Sequence, residues 1–171
     1  MPSANGVHFA NVASGGFGAE VTVGTNPQLK KALGGGAYTI MGLVKAFGLE
    51  PYQGRLLVPG EEPVEGAMLF MAVGNSRLAG GGFEVAPEAS LDDGLLDIAA
   101  VTYRAEDVEL KKLAAELKTP TSPDNEILFY RQLPEFTIEA REAWHFNMDG
   151  EPVRASTFAF SVLPRHLGVV F

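Results

Sequence analysis

Cysteine is absent from the chain. That excludes disulfides, a thiolate nucleophile and thiolate-bound zinc, and it suits the cytoplasm. Basic residues are outnumbered: 13 Lys and Arg face 21 Asp and Glu, for a formal net charge of −8. A surface of that sign is a poor electrostatic partner for nucleic acid or for an anionic membrane. Nucleic acid is therefore excluded as a partner, and contact with anionic lipid needs a local basic or apolar patch. No apolar run reaches the length of a membrane span, and the first residues lack a basic stretch followed by an apolar signal segment. The expected location is cytoplasmic, with at most a peripheral position at the inner membrane surface. The histidines, His8, His145 and His166, have no zinc-type spacing. Ser14 and Ser76 lack the context of a nucleophile elbow.

What is present reads as one globular domain spanning residues 1–171. Hydrophobic residues make up 46% and charged residues 20% of a chain long enough to bury a core. With 20 Gly and 11 Pro, turns are frequent. Met1–Gly6 reads as a start or linker and Val7–Val12 as a short strand, followed by a flexible turn at Ser14-Gly15-Gly16-Phe17-Gly18. No Gly-Lys-Ser/Thr follows, so that turn is not a Walker loop. Asn26 and Pro27 open a helix whose apolar stripe is Leu29, Leu33, Ala37, Ile40, Met41, Val44 and Phe47, weakened by Gly34-Gly35-Gly36. Strands follow at Gln53–Val58 and Ala67–Val73, joined by a hairpin turn at Pro59–Pro63. The second is almost wholly apolar and is expected to be central and buried on both faces.

After Leu95–Thr102, Ala105–Lys118 reads as a second amphipathic helix, with Leu110, Leu113, Ala114 and Leu117 as its stripe and Thr119-Pro120 as its stop. The remainder reads as strands at Ile127–Arg131, Phe136–Glu139, Trp144–Met148, Thr157–Leu163 and Gly168–Phe171. Asp149-Gly150 is a hairpin signal between two of them. Trp144, Phe146 and Met148 alternate, which reads as core or pocket packing before a stacking platform. The pattern is mainly β within the α+β class, closest to a β-sandwich carrying two amphipathic helices.

Three places carry candidate chemistry. In Ser90-Leu91-Asp92-Asp93-Gly94-Leu95, Asp93 could ligate a hard cation with main-chain carbonyls on either side. The ladder and distal Glu of an EF-hand are missing, and on spacing alone a plain Asp-Asp-Gly turn is the first reading. Gly80-Gly81-Gly82 lies just upstream. In Asn147-Met148-Asp149-Gly150-Glu151-Pro152, Glu151 could act as a general base with Asp149 orienting it; a simple hairpin is again the first reading.

Taken together, these stretches resemble the C-terminal domain of the bacterial YegS-like lipid kinases, relatives of bacterial diacylglycerol kinases. The resemblance is carried, in order, by Phe9–Gly18, Gly74–Gly82, Pro87–Leu96 and Phe146–Pro152. It implies ATP-dependent transfer of a γ-phosphoryl group to a lipid hydroxyl, with Mg2+ as the metal and Ca2+ as the alternative. It implies that Asp93 gives a carboxylate and Ser90 and Leu95 give main-chain carbonyls to that metal. It also implies that Glu151 accepts the proton of the attacking hydroxyl, supported by Asp149, and that Asn75, Gly80, Gly81 and Gly82 lie near the nucleotide phosphates. Asp92 stands where some relatives have Asn.

The string Gly-Gly-Asp-Gly-Thr of the family's N-terminal nucleotide domain is missing. ATP is therefore expected to be held mainly by an N-terminal kinase domain absent from this chain, and the chain is expected to be inactive alone. The alternative is a stand-alone β-sandwich module binding lipid or protein around a structural cation. An NAD-kinase-like enzyme with a similar two-domain plan is a third reading, which the Asp-Gly-Glu turn and the spacing fit less well.

Overall fold

In the computed structural model, residues 1–16, 51–79, 83–103 and 110–163 are described. Eleven strands and one helix occur among them: β1 (Pro2–Ala4), β2 (Val7–His8), β3 (Val12–Gly16), β4 (Tyr52–Leu57), β5 (Val64–Gly74), β6 (Leu78–Ala79), β7 (Phe83–Glu84), β8 (Leu96–Tyr103), α1 (Leu110–Glu116), β9 (Leu128–Leu133), β10 (Glu135–Met148) and β11 (Glu151–Val162). Apart from the small β6–β7 hairpin, the strands form one nine-stranded sheet, in the order β2-β1-β11-β10-β3-β5-β8-β9.

β4 does not extend this order. It pairs with β10 through Thr137–Ala140 and with β5 through Val64–Met68, while β3 pairs with β10 through Phe146–Met148 and with β5 through Phe70–Gly74. β3 and β4 thus lie end to end in the gap between two long strands. Every described pairing is antiparallel.

Alternation decides which side chains face the core. Trp144, Phe146 and Met148 of β10 are all buried, as their spacing predicts. They join Phe158 and Phe160 of β11, Met71 and Val73 of β5, Ile98 and Ala100 of β8, Leu133 of β9 and Ala4 of β1 in one cluster. A core fed from both ends of the strand order requires the sheet to curl over itself, the closure expected of a sandwich-like domain. Phe146 is its hub, with ring centroids 4.5 Å from Phe158 and 5.6 Å from Phe160. The sheet's other face carries buried Ala72, Ala99 and Val101, and Leu113 of α1 and Ala86 and Ala89 of the β7–β8 loop are buried as well.

Several expectations change. Met1–Gly6 is no linker: β1 pairs with β11 and turns into β2. The turn is Asn5-Gly6, both residues at positive φ (51° and 79°), an Asn-Gly hairpin signal of the ordinary kind. Val7–Val12 is not one strand; β2 ends at His8 and β3 starts at Val12. Ser14-Gly15-Gly16 is strand and not turn, because its glycines serve close packing. A Cβ on Gly15 would lie 2.5 Å from Cζ of Phe146. The expected strands at Phe136–Glu139 and Trp144–Met148 are one strand, β10, with a register shift between Glu139 and Trp144. The expected helix over residues 26–47, the strand at Gly168–Phe171 and the turn residues Phe17 and Gly18 lie outside the described residues. Of the expected helix at 105–118, α1 covers Leu110–Glu116, and Leu113 is buried as predicted.

Candidate active site

The pairing registers bring four of the sequence motifs to one end of the sheet. Glu151 opposes Met148, Met148 opposes Ala13, Val12 opposes Gly74, and Gly74 opposes Asp97. That end therefore gathers the β10–β11 turn, the start of β3, the residues after β5 and the acidic loop that enters β8.

The segment Ala10-Asn11-Val12 is gripped from two sides. On one side is the Asp149 carboxylate. Its Oδ2 accepts the N–H of Ala10, and the N–H groups of Asn11 and Val12 donate to its Oδ1 at 3.1 Å each. On the other side, Nδ2 of buried Asn75 donates to the carbonyl of Ala10 at 2.8 Å, and the N–H groups of Asn75 and Ser76 donate to the carbonyl of Asn11 at 2.8 and 3.1 Å. Gly74 makes this junction feasible, because a Cβ there would sit 2.4 Å from Cβ of Ala86.

The Asp149-Gly150 turn has both residues at positive φ, 50° and 107°, which places Asp149 in a conformation Asp tolerates and leaves the second position to Gly. Asn147 locks it: its Oδ1 accepts the N–H of Gly150 at 2.8 Å, and its buried Nδ2 has no hydrogen-bond partner among the described residues. Glu151, the first residue of β11, is exposed. Asp149 thus holds the main chain of β3 in place, and Glu151 next to it presents its carboxylate to solvent.

The acidic loop has its own internal order. Ser90 Oγ donates to Asp92 Oδ1 at 2.7 Å, and the N–H of Leu95 donates to Asp93 Oδ1 at 2.8 Å, with Gly94 at φ 78°. Asp92 is thereby tied to the Ser90 hydroxyl. Asp93 keeps Oδ2 free of any hydrogen bond among the described residues. A carboxylate oxygen and the carbonyls of Ser90 and Leu95 are hard donors within one tight turn, a set that fits Mg2+ or Ca2+. Among the described residues no three His, Asp or Glu side chains converge as a ligand cluster, so a cation here would depend on main-chain oxygen. Gly80, Gly81 and Gly82 lie outside the described residues.

One group stood out less in the sequence. Asp97 is fully buried at the start of β8, where Tyr130 Oη and Gln132 Nε2 donate to its carboxylate, the latter at 3.2 Å. Burial pushes its pKa up, against the two hydrogen bonds that lower it. Burial, together with the bond to Asp97, also pushes the Tyr130 hydroxyl up. The available signal was a lone acid inside the apolar run Leu95–Thr102, since a buried carboxylate demands partners. The partners themselves lie on another strand and could not be read locally. Glu116 is a second such residue: its buried carboxylate accepts the N–H groups of Glu126, Ile127 and Leu128 at 3.1, 2.9 and 2.8 Å.

Residues 11–171 match the family model described as the YegS C-terminal NAD kinase beta sandwich-like domain. A Chromohalobacter salexigens protein named "Probable lipid kinase YegS-like" is 43% identical over 92% of this chain and 50% of its own length. A Pseudomonas aeruginosa protein of the same name is 39% identical over 99% of this chain and 55% of its own. The chain thus spans about half the length of the curated relatives it matches. Among solved structures, a Bacillus anthracis protein described as a diacylglycerol kinase superposes with a TM-score of 0.64 at 18% identity, over 96% of this chain and 50% of that one, a likeness of fold. The motifs, the sheet that gathers them and these relatives agree: the chain belongs to the family of the YegS C-terminal NAD kinase beta sandwich-like domain.

Proposed function

We propose that this chain is the lipid-acceptor and base-bearing part of an ATP- and Mg2+-dependent lipid kinase, acting on a lipid hydroxyl of the phosphatidylglycerol or diacylglycerol type. The observation that supports it most is the assembly of the Glu151 turn, the Asn75 junction and the Ser90–Leu95 loop at one end of the sheet. The Glu151 carboxylate takes the proton of the lipid hydroxyl as its oxygen attacks the γ-phosphorus of ATP. The bond from γ-phosphorus to the bridging oxygen breaks, and ADP leaves. Phosphoryl transfer depends mainly on positioning and on neutralising charge. In this reading Asp149 and Asn75 act by fixing the main chain that frames Glu151, and Asp93 with the carbonyls of Ser90 and Leu95 holds the cation. The cation supplies positive charge at that edge of the cleft. ATP itself is held mainly by an N-terminal kinase domain outside this chain, so the chain alone does not turn over. Lipid reaches the site through peripheral contact with the membrane surface.

The test is a phosphotransfer assay with Mg-ATP against phosphatidylglycerol and diacylglycerol, run on this chain alone and on its full reading frame. Turnover is expected only for the full reading frame, with Glu151→Gln lowering kcat by at least about 100-fold, the scale of general-base catalysis. Full activity in Glu151→Gln removes that residue from the chemistry. Lipid binding with no turnover by the full reading frame points instead to a binding module.

A further inference from the structure

The Ser90–Leu95 loop is not held by its own residues alone. Tyr130 and Gln132, on β9, both reach Asp97 of β8, and Gln132 is its register partner. The same two side chains also reach Glu88, just before the loop. The N–H of Glu88 donates to Tyr130 Oη at 3.1 Å, and Gln132 Nε2 lies 3.3 Å from the carbonyl of Glu88. Bond directions follow from this arrangement. The Tyr130 proton goes to Asp97, so its oxygen is left to accept from Glu88; Gln132 presents its two N–H groups to Asp97 and to the carbonyl. Both hydrogen-bonding groups of one peptide residue are thus taken by side chains anchored on a single buried carboxylate. Two residues earlier, buried Ala86 sits against Gly74.

We propose that Tyr130, Asp97 and Gln132 are positioning residues that clamp the main chain at Glu88 and so set the places of the oxygen donors of Ser90, Asp93 and Leu95. This rests on reading that loop as the cation site. A buried acid between two strands is costly unless it is fully satisfied, and here its two partners on the neighbouring strand also reach the loop. Most ligands in the set are main-chain atoms, so the backbone path of the loop decides whether they converge. Outer partners that orient ligands are typically worth about 10- to 100-fold in metal affinity.

The experiment uses the 171-residue chain, titrated with Mg2+ and with Ca2+ by calorimetry, and followed by amide hydrogen exchange. Tyr130→Phe keeps the ring and removes the bridging oxygen; Gln132→Leu removes the second arm and serves as the independent variant. Each is expected to weaken cation binding about 10-fold and to speed exchange across residues 87–95, leaving residues 98–103 protected. Asp93→Asn is expected to abolish cation binding with exchange at Glu88 unchanged. Wild-type affinity and wild-type exchange in both Tyr130→Phe and Gln132→Leu overturn the clamp. Absence of cation binding by the parent chain, with faster loop exchange still seen in the two variants, supports the clamp and overturns the cation reading.

Discussion

Asp149 and Glu151 are carboxylates two positions apart in one turn, yet their surroundings differ. Asp149 faces three main-chain N–H groups of residues 10–12, and Glu151 is exposed to solvent. Asp149→Asn puts an amide nitrogen against those donors and removes the charge. The expected loss is roughly 1.5–3 kcal/mol, the range for hydrogen bonds to charged groups, which corresponds to several degrees in Tm for a chain of this length. Glu151→Gln changes no described contact and should stay within about 0.5 kcal/mol. Thermal or urea unfolding of the two variants checks this; equal losses would show that Asp149 anchors nothing. The contrast was not legible in the sequence. Asp149-Gly150-Glu151 announces a turn, but the amides that Asp149 captures lie more than a hundred residues upstream.

At the scale of elements, β3 shows how composition can mislead. Ser14-Gly15-Gly16 has the look of a turn, yet it is a strand between β5 and β10. Glycine is there because Phe146, fully buried, presses its ring onto the strand. Gly15→Ala forces that ring to move within a packed aromatic cluster, at a cost of about 1–3 kcal/mol. Gly66 in β5 has open space around its Cα, so Gly66→Ala should be neutral or slightly stabilising. Denaturant midpoints of the pair separate close packing from chain flexibility. β10 shows the converse. Its alternation of Trp144, Phe146 and Met148 was readable because a strand with one buried face imprints a period of two on the sequence.

At the scale of the whole molecule, the sheet ties distant segments together. Arg131 of β9 pairs with Glu61 in the β4–β5 turn, with Nη1 to Oε2 at 2.7 Å and Nη2 to Oε1 at 2.8 Å. The Arg131 bonds hold the Glu61 carboxyl below its ordinary value of 4.5. A folded-state pKa below the unfolded one means that the pair adds stability above the ordinary carboxylate range. That stability is lost as pH falls through the depressed value. Glu61→Gln should therefore unfold at lower urea than the parent near pH 7, with the two converging in acid, below the depressed carboxyl value. A gap of the same size at both pH values would assign the effect to something other than ionisation. Added salt should narrow the gap at pH 7, since both side chains are partly exposed.

The residues by themselves determined that the chain is a mainly β globular domain, acidic and without thiol chemistry. They also determined which motifs resemble a lipid kinase C-terminal domain and that β10 alternates into the core. Those properties are local: composition, period and turn chemistry act over a few neighbours. Only the tertiary structure decided that β3 and β4 share one gap in the sheet, that the motifs meet at one end, and that Asp149 anchors main chain more than a hundred residues away. Each of those depends on strand register and on partners distant in sequence. A carboxylate's role follows from the donors it meets, and register alone selects them.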